Sequence, residues 1–358
     1  MEEVLAGAVK PCVGRLAPSP TGALHLGNVR TFMVAWLSAR AKGGRVIMRM
    51  EDLDHPRDKP GAAAETVDTL RWLGFDWDEE YVQSERKELY RDALESLVSR
   101  GLAYPCVCSR RDVEAAQSAP HDGDQLFYPG TCRGRFASWR EAREFKMARD
   151  GSPPCWRFRV AEGAHVAFDD AFAGRVEQDV SATLGDFPLA RDEGGAGYTL
   201  ACVVDDIAMG VTEVVRGDDL LAATPAQILV ARAVAPGSDA IGYCHVPLVV
   251  GPDGRRLAKR HGDTRISSYR AAGMTPERII GFLAESCGWC EKGEEISLPA
   301  LLPRFDLATV PRRPLTINNV PSAHLSFSIS KEADRFQPQR TGEAGELVQP
   351  QRTGETGD

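Results

Sequence analysis

The stretch RLAPSPTGALHLGN, residues 15–28, is an unusual way for a chain to leave a strand. Two prolines, two glycines and a histidine stand between an apolar start and a helix-forming run. Residues 12–18 read as a short strand. The following segment, LHLGNVRTFMVAWLSARAKGG, carries Leu26, Val29, Met33 and Leu37 at i, i+3/i+4 spacing, and Gly43-Gly44 stop it, so a helix is predicted. RVIMRME then reads as a second strand and PGAAAETVDTLRWLGF as a second helix with Pro60 near its start. This strand-helix-strand-helix order predicts an α/β fold with a doubly wound, parallel, Rossmann-like sheet. In such sheets ligands sit where a strand ends and a helix begins, and the first amides of a helix suit phosphate. Gly22 and Gly27 allow close backbone approach, and His25 and Asn28 are candidate donors to phosphate oxygens. The plainer reading of the same turn is a helix cap with a surface histidine. A G-x-G-x-x-G fingerprint is missing from the turn, which counts against a dinucleotide cofactor.

The chain has 358 residues, enough for two or three units, and it is 43% hydrophobic, enough for a sizeable core. No apolar run reaches the roughly 18 residues of a membrane span. The N-terminus lacks the pattern of a secretory signal. Nine scattered cysteines argue for reduced thiols and a cytoplasmic location rather than a disulfide framework. The net charge of −8 excludes a whole-chain basic field, but not a local basic surface.

ERKELYRDALESLVSRGL is a third helix, after which the texture changes. Residues 11–104 are therefore read as one Rossmann-like half. Residues 105–195, rich in Gly, Pro, Arg and Cys, read as an inserted subdomain. Residues 196–270 form a second half: YTLACVVDDIAMGVTEVVRGDDLL reads as strand-like runs, TPAQILVARAVA as a helix, YCHVPLVVG as a strand and PDGRRLAKRHGD as a basic loop. Residues 271–318 are expected to be a short helical region. In 319–358, QPQRTGEAGE recurs as QPQRTGETGD, a polar, glycine-rich tail expected to be disordered.

The basic loop holds Arg255, Arg256, Lys259 and Arg260 between two glycines. Such a run is usually a solvated face. Placed after a strand, it also suits closure over a triphosphate, with stabilisation of charge on the departing pyrophosphate. Cys106-x-Cys108 and Cys132 suit a structural zinc with one further ligand, the alternative being buried or free thiols. His121, on the intervening loop, is the chemically ordinary fourth ligand. Cys287-x-x-Cys290 is a lone C-x-x-C that could suggest redox chemistry, but it stands at the end of a predicted helix rather than after a strand at a helix start, which argues against that role; the other cysteines read as core packing.

Together these segments carry a resemblance. HLGN is similar to the HIGH signature of class I aminoacyl-tRNA synthetases, and RLAKR, 256–260, to their KMSKS loop. With RLAPSPTGALHLGNVRT, MRMEDLD, YPCVCSR, FYPGTCR, YTLACVVDD and EVVRGDDLL in order, residues 13 to about 290 resemble the glutamyl branch of that class. The chain departs from the signature at Arg256 and Arg260, whereas Lys259, the position the resemblance assigns to ATP, is retained. The resemblance implies catalytic roles for His25, Asn28 and Lys259. It places ATP, with Mg²⁺, against Pro18, Ser19, His25, Gly27, Asn28 and Lys259. It places glutamate against Arg15, Ser19, Glu51, Tyr198 and Arg216. It makes Tyr128 the fourth zinc ligand beside Cys106, Cys108 and Cys132. From the residues alone, Arg216 is as well explained by pairing with Asp218 or Asp219, and Glu51 by pairing with Arg49. Asp205 and Asp206 stay ambiguous between a nucleotide ribose and a basic loop.

So few residues follow position 290 that no large anticodon-reading domain is expected. In this the chain resembles the truncated family of glutamyl-queuosine tRNA(Asp) synthetases. The implied activity is ATP-dependent activation of glutamate and its transfer to queuosine at the wobble position of tRNA(Asp), an unstacked anticodon-loop base, by a monomer. The alternatives are a minimal glutamyl-tRNA synthetase charging tRNA(Glu), or a catalytically silent tRNA-binding paralogue. Arginines in SRRD and TCRGR are candidate tRNA contacts.

Overall fold

A computed structural model describes residues 11–20, 22–53, 60–115, 126–191, 195–237, 241–255, 257, 264–317 and 327–329. The opening segment folds as the sequence predicts. Strand β1 (Val13–Leu16) is buried along its length, helix α1 (Leu26–Ala41) follows, and β2 (Arg45–Met50) returns parallel to β1, with Val13 opposite Arg45. Helix α1 lies so close to β1 that a Cβ on Gly14 would sit 2.9 Å from that of Ala39. Gly43 turns the chain at φ +65°, a conformation a side chain disfavours. Helix α2 (Ala62–Trp72) leads to β3 (Glu79–Val82), parallel to β2, and helix α3 (Lys87–Ser99) follows.

β4 (Ala103–Cys106) pairs antiparallel with β5 (Cys155–Phe158), across helices α4 (Arg110–Ala115) and α5 (Trp139–Asp150). β6 (His165–Asp170) and β7 (Gly174–Asp179) form a hairpin; a turn of helix, α6 (Val180–Thr183), and β8 (Pro188–Ala190) complete the segment. The sequence marks 105–195 as an insert, but β6 does not stand apart. It joins β10 (Gly242–Val246) through Tyr243 opposite Asp170, in a four-stranded sheet ordered β7-β6-β10-β9.

Residues 198–208 differ from expectation. They form helix α7 (Tyr198–Ala208), not strand; the strand begins only at β9 (Glu213–Gly217). Leu200 to Asp206 are all buried, so the run is apolar on several faces and its periodicity is masked. Helix α8 (Thr224–Val234) lies between β9 and β10, which are parallel. Thr212, just before β9, brackets the start of β1: its amide donates to Val13 O at 3.0 Å and its hydroxyl accepts from Val13 N at 2.9 Å. This clamp sets Arg15 on β1 beside Val215 on β9.

The predicted strand 243–251 breaks at Pro247 into β10 and β11 (Val249–Val250). Helices α9 (Ile266–Ala271) and α10 (Pro276–Glu285) follow, and Cys287 is buried just beyond α10, as a core residue. The region expected to be helical also contains a strand, β12 (Leu315–Ile317), parallel to β11. Three residues of the tail, β13 (Phe327–Ile329), pair antiparallel with β12. The duplicated QPQRTGE segments lie outside the described residues. Among the described residues, no helix is long and apolar enough to cross a membrane.

Candidate functional site

The site begins at the turn between β1 and α1. His25 is the N-cap of α1: its Nδ1 accepts from the Asn28 amide at 3.3 Å, and Asn28 Oδ1 accepts from the His25 amide at 3.2 Å. The two side chains thus satisfy two helix-terminal donors reciprocally. With Nδ1 an acceptor, the ring proton sits on Nε2. Gly27 lies beneath the imidazole, where a Cβ would meet the ring at 3.0 Å. The cap and the phosphate site are therefore compatible readings of one turn, since capping fixes the ring against the helix N-terminus. Pro18 is buried and Ser19 exposed at the end of β1, and Pro18 O accepts from the Glu51 amide at 2.9 Å.

The residues that follow the basic loop meet the same turn. Residues 24–26 and 264–266 run antiparallel: Leu26 N donates to Thr264 O at 3.2 Å, Ile266 N to Leu24 O at 2.9 Å, and His25 bridges Arg265. Within the loop, Leu257 is buried in the main core. Lys259, Arg256 and Arg260 lie outside the described residues, as does His121.

Two buried arginines stand on β1 and β9. Arg15 Nη1 donates to Val215 O at 2.8 Å, while its Nε has no hydrogen-bond partner among the described residues and lies 4.0 Å from Asp206. Arg216 donates to His245 Nε2 (3.0 Å), Thr224 Oγ1 (2.8 Å), Gln227 Oε1 (2.7 Å), Tyr198 OH (3.3 Å) and Leu220 O (3.4 Å). Among the described residues every one of these acceptors is neutral, so Asp218 and Asp219 do not hold Arg216. Gln227 Nε2 is a second buried donor without a partner among the described residues. Tyr198, the first residue of α7, is 41% exposed and marks the open side.

Glu51 does take the plainer partner: Arg49 Nη2 and Nε donate to Oε1 at 3.1 and 3.3 Å. Burial pushes the Glu51 carboxyl up and Arg49 pulls it back. The ambiguous aspartates are structural. Asp205 accepts from Arg86, Tyr90 and Gln83 at 2.7, 2.8 and 2.9 Å, and Asp206 from Arg49 at 2.5 Å. His245 was invisible as a site residue in the sequence, where it stands inside an apolar strand. Its Nδ1 lies 2.6 Å from Asp170 Oδ2, and both side chains are fully buried.

Away from this cleft, the thiols of Cys106, Cys108 and Cys132 lie within 4.8 Å of one another, a set able to hold a metal ion. Tyr128 OH is 3.2 Å from Cys106 Sγ and 3.6 Å from Cys108 Sγ; Cys108 and Cys132 are 3.6 Å apart. Tetrahedral zinc with bonds of about 2.3 Å to sulfur and about 2.0 Å to oxygen requires S···S near ~3.7 Å and O···S near ~3.5 Å. The donor set fits. Arg157 Nε donates to Cys106 Sγ at 3.2 Å and its guanidinium lies 3.9 Å from the Tyr128 ring centre, a cation beside an electron-rich ligand set.

Residues 11–300 match the family model described as tRNA synthetases class I (E and Q), catalytic domain. The chain is 48% identical over 315 residues to a glutamyl-Q tRNA(Asp) synthetase from Symbiobacterium thermophilum, covering 85% of this chain and 95% of that protein. It is 45% identical to one from Rhodopirellula baltica, with 86% and 97% covered. A glutamate tRNA ligase from Elizabethkingia meningosepticum, solved in complex with its amino acid, superimposes with a TM-score of 0.70 at 28% identity, covering 86% of this chain and 67% of that one.

Proposed function

The chain belongs to the class I tRNA synthetases of the E and Q type, and from that premise we propose that it activates glutamate with ATP and transfers the glutamyl group to queuosine in tRNA(Asp). The observation that carries the amino-acid assignment is Arg216, a buried guanidinium held only by neutral acceptors among the described residues. Burying an unpaired cation is costly, and a substrate carboxylate supplies the missing charge with forked hydrogen bonds. The tRNA assignment rests on near-full-length likeness to relatives named for that reaction.

In the first step the glutamate α-carboxylate attacks the α-phosphorus of ATP, the new P–O bond forms as the bond to pyrophosphate breaks, and glutamyl-adenylate results. No strong base is needed because the nucleophile is already ionised. Catalysis is positioning and charge stabilisation. His25 Nε2–H and the N-terminal amides of α1, with Asn28 and Gly27 shaping the turn and Pro18 and Ser19 beside it, bind the ATP phosphates together with Mg²⁺. Lys259 neutralises the departing pyrophosphate. Arg15 and Arg216 hold glutamate carboxylates, Glu51 its ammonium, and Tyr198 and Ser19 offer hydroxyls. In the second step a hydroxyl of the queuosine cyclopentenediol attacks the acyl carbon, the bond from that carbon to the phosphate oxygen breaks, and AMP leaves, its phosphate taking up the hydroxyl proton.

The part of residues 105–195 outside the hairpin β6–β7 would act as a zinc-binding subdomain. Cys106, Cys108, Cys132 and Tyr128 would hold one structural zinc, which ties β4 to the loop at 128–132. The ion supplies cross-linking, not reaction chemistry.

The test mixes the protein with ATP, labelled glutamate and queuosine-containing tRNA(Asp), beside queuosine-free tRNA(Asp) and tRNA(Glu). The expected result is label on the queuosine-containing tRNA alone, surviving removal of the 3′-terminal adenosine. Label on the 3′ end of tRNA(Glu) would overturn the reading in favour of ordinary charging. No label and no glutamate-dependent pyrophosphate exchange would point to a silent tRNA-binding protein.

A further inference from the structure

We propose that His245, locked in one tautomer by Asp170, is a positioning residue that aims Arg216 at the glutamate carboxylate. The proposal rests on the assignment of Arg216 to glutamate made above. A guanidinium has only donors, so Arg216 Nε–H, 3.0 Å from His245 Nε2, requires that nitrogen to be an acceptor. The ring proton is then on Nδ1, which donates to Asp170 Oδ2 at 2.6 Å. Asp170 is itself held: Oδ1 accepts from the amides of Phe172 and Ala173, both at 2.9 Å, and the His245 amide lies 3.3 and 3.2 Å from the two oxygens. The chain of contacts runs from β6 through β10 to β9 and ends at the substrate-facing arginine.

This arrangement has a functional logic that a direct Asp–Arg pair would lack. A carboxylate on Arg216 would compete with the substrate for the guanidinium. Routing the acid through a neutral imidazole fixes the direction of the guanidinium plane and leaves its charge for the ligand. Burial holds the His245 pKa below its ordinary value, which keeps the ring in the accepting form.

Asp170→Asn tests the tautomer directly. The amide retains Oδ1 for the Phe172 and Ala173 backbone and turns an N–H toward His245 Nδ1. The imidazole must then move its proton to Nε2, against Arg216 Nε–H. His245→Phe removes the acceptor; His245→Gln keeps one near the Nε2 position. Glutamate and glutamine binding to the full chain are measured by calorimetry, and KM values for glutamate and ATP by pyrophosphate exchange. His245→Phe and Asp170→Asn are expected to weaken glutamate at least 10-fold, with the ATP KM within about 2-fold and the glutamate-over-glutamine preference reduced. His245→Gln should fall between. Imidazole ¹⁵N shifts should show a protonated Nδ1 at His245 in the parent and a protonated Nε2 in Asp170→Asn. If the parent binds glutamate and Asp170→Asn is folded with unchanged preference, the positioning role is wrong. If glutamate and ATP weaken equally, the role is structural. If the parent binds no glutamate, the Arg216 assignment itself fails, and this inference with it.

Discussion

Replacing Arg49 by methionine should destabilise the protein by about 3–5 kcal/mol, the usual cost of removing one member of a buried ion cluster. Arg49 is fully buried and bonds Asp206 at 2.5 Å and Glu51 at 3.1 Å, with Asp205 at 3.9 Å. The three acids would not suffer alike. Asp205 keeps Arg86, Tyr90 and Gln83. Asp206 retains the Cys202 thiol at 3.6 Å and Arg15 at 4.0 Å, and Glu51 loses both bonds from Arg49. The cost therefore falls on Asp206 and Glu51, and Asp206→Asn in the same chain should recover about 1–2 kcal/mol by removing one stranded charge. Urea unfolding at pH 7, followed by far-UV circular dichroism, reads both values, provided the slope m is unchanged. The variant should also show a stronger pH dependence than the parent. Burial already raises the Glu51 pKa from 4.5 in the parent with Arg49 opposing; without Arg49 it rises further. The folded state then holds a proton that the unfolded state releases above ~4.5, so stability falls as pH rises from there. A loss below about 1 kcal/mol, or no recovery in the double variant, would refute the claim that this cluster is held by charge.

Lys259→Ala should cripple glutamate-dependent pyrophosphate exchange while calorimetric glutamate binding stays nearly intact; unchanged exchange would remove Lys259 from the reaction. Cys132→Ser and Tyr128→Phe should each lower the zinc content of protein purified without chelators, measured by mass spectrometry, against about one zinc in the parent. Gly185→Ala should unfold the neighbourhood of residue 128, since Gly185 has φ +63° and a Cβ there would lie 2.0 Å from Tyr128 O; hydrogen exchange at 126–136 reads it. Burial and Asp219 push the Asp218 pKa up to about 6. Its contribution to stability is thus present below ~3.8 and lost as pH rises through about 6, and Asp218→Asn should gain about 1–3 kcal/mol relative to the parent between pH 4 and pH 7.

The first βαβ unit was legible because its signals are local: an apolar strand, helical spacing and a glycine pair. The cap at His25 and Asn28 was legible for the same reason, as three-residue spacing suffices. Helix α7 was not, because Leu200 to Asp206 are buried all round and the run has no polar face to give a period. His245 escaped notice because its meaning depends on Asp170, 75 positions earlier, and on a strand pairing that no local pattern announces. The plain pairing expected for Glu51 is real, and that expected for Arg216 is not. Both were equally plausible on the sequence, since only the folded chain tells which cation is left without an acid.

The hairpin β6–β7 bears on how such a protein can be recombined. By texture, 105–195 looks like a cassette that evolution or an engineer might exchange whole between relatives. Its strand β6 nevertheless ends in Asp170, whose contacts belong to the second sheet. A graft cut before residue 165 would carry the thiol cluster, α4, α5 and β5 but leave behind β8, which pairs with β5; one cut after 179 would replace Asp170, the partner of His245. The seam between transferable module and inherited frame thus runs around the hairpin β6–β7 inside the apparent insert.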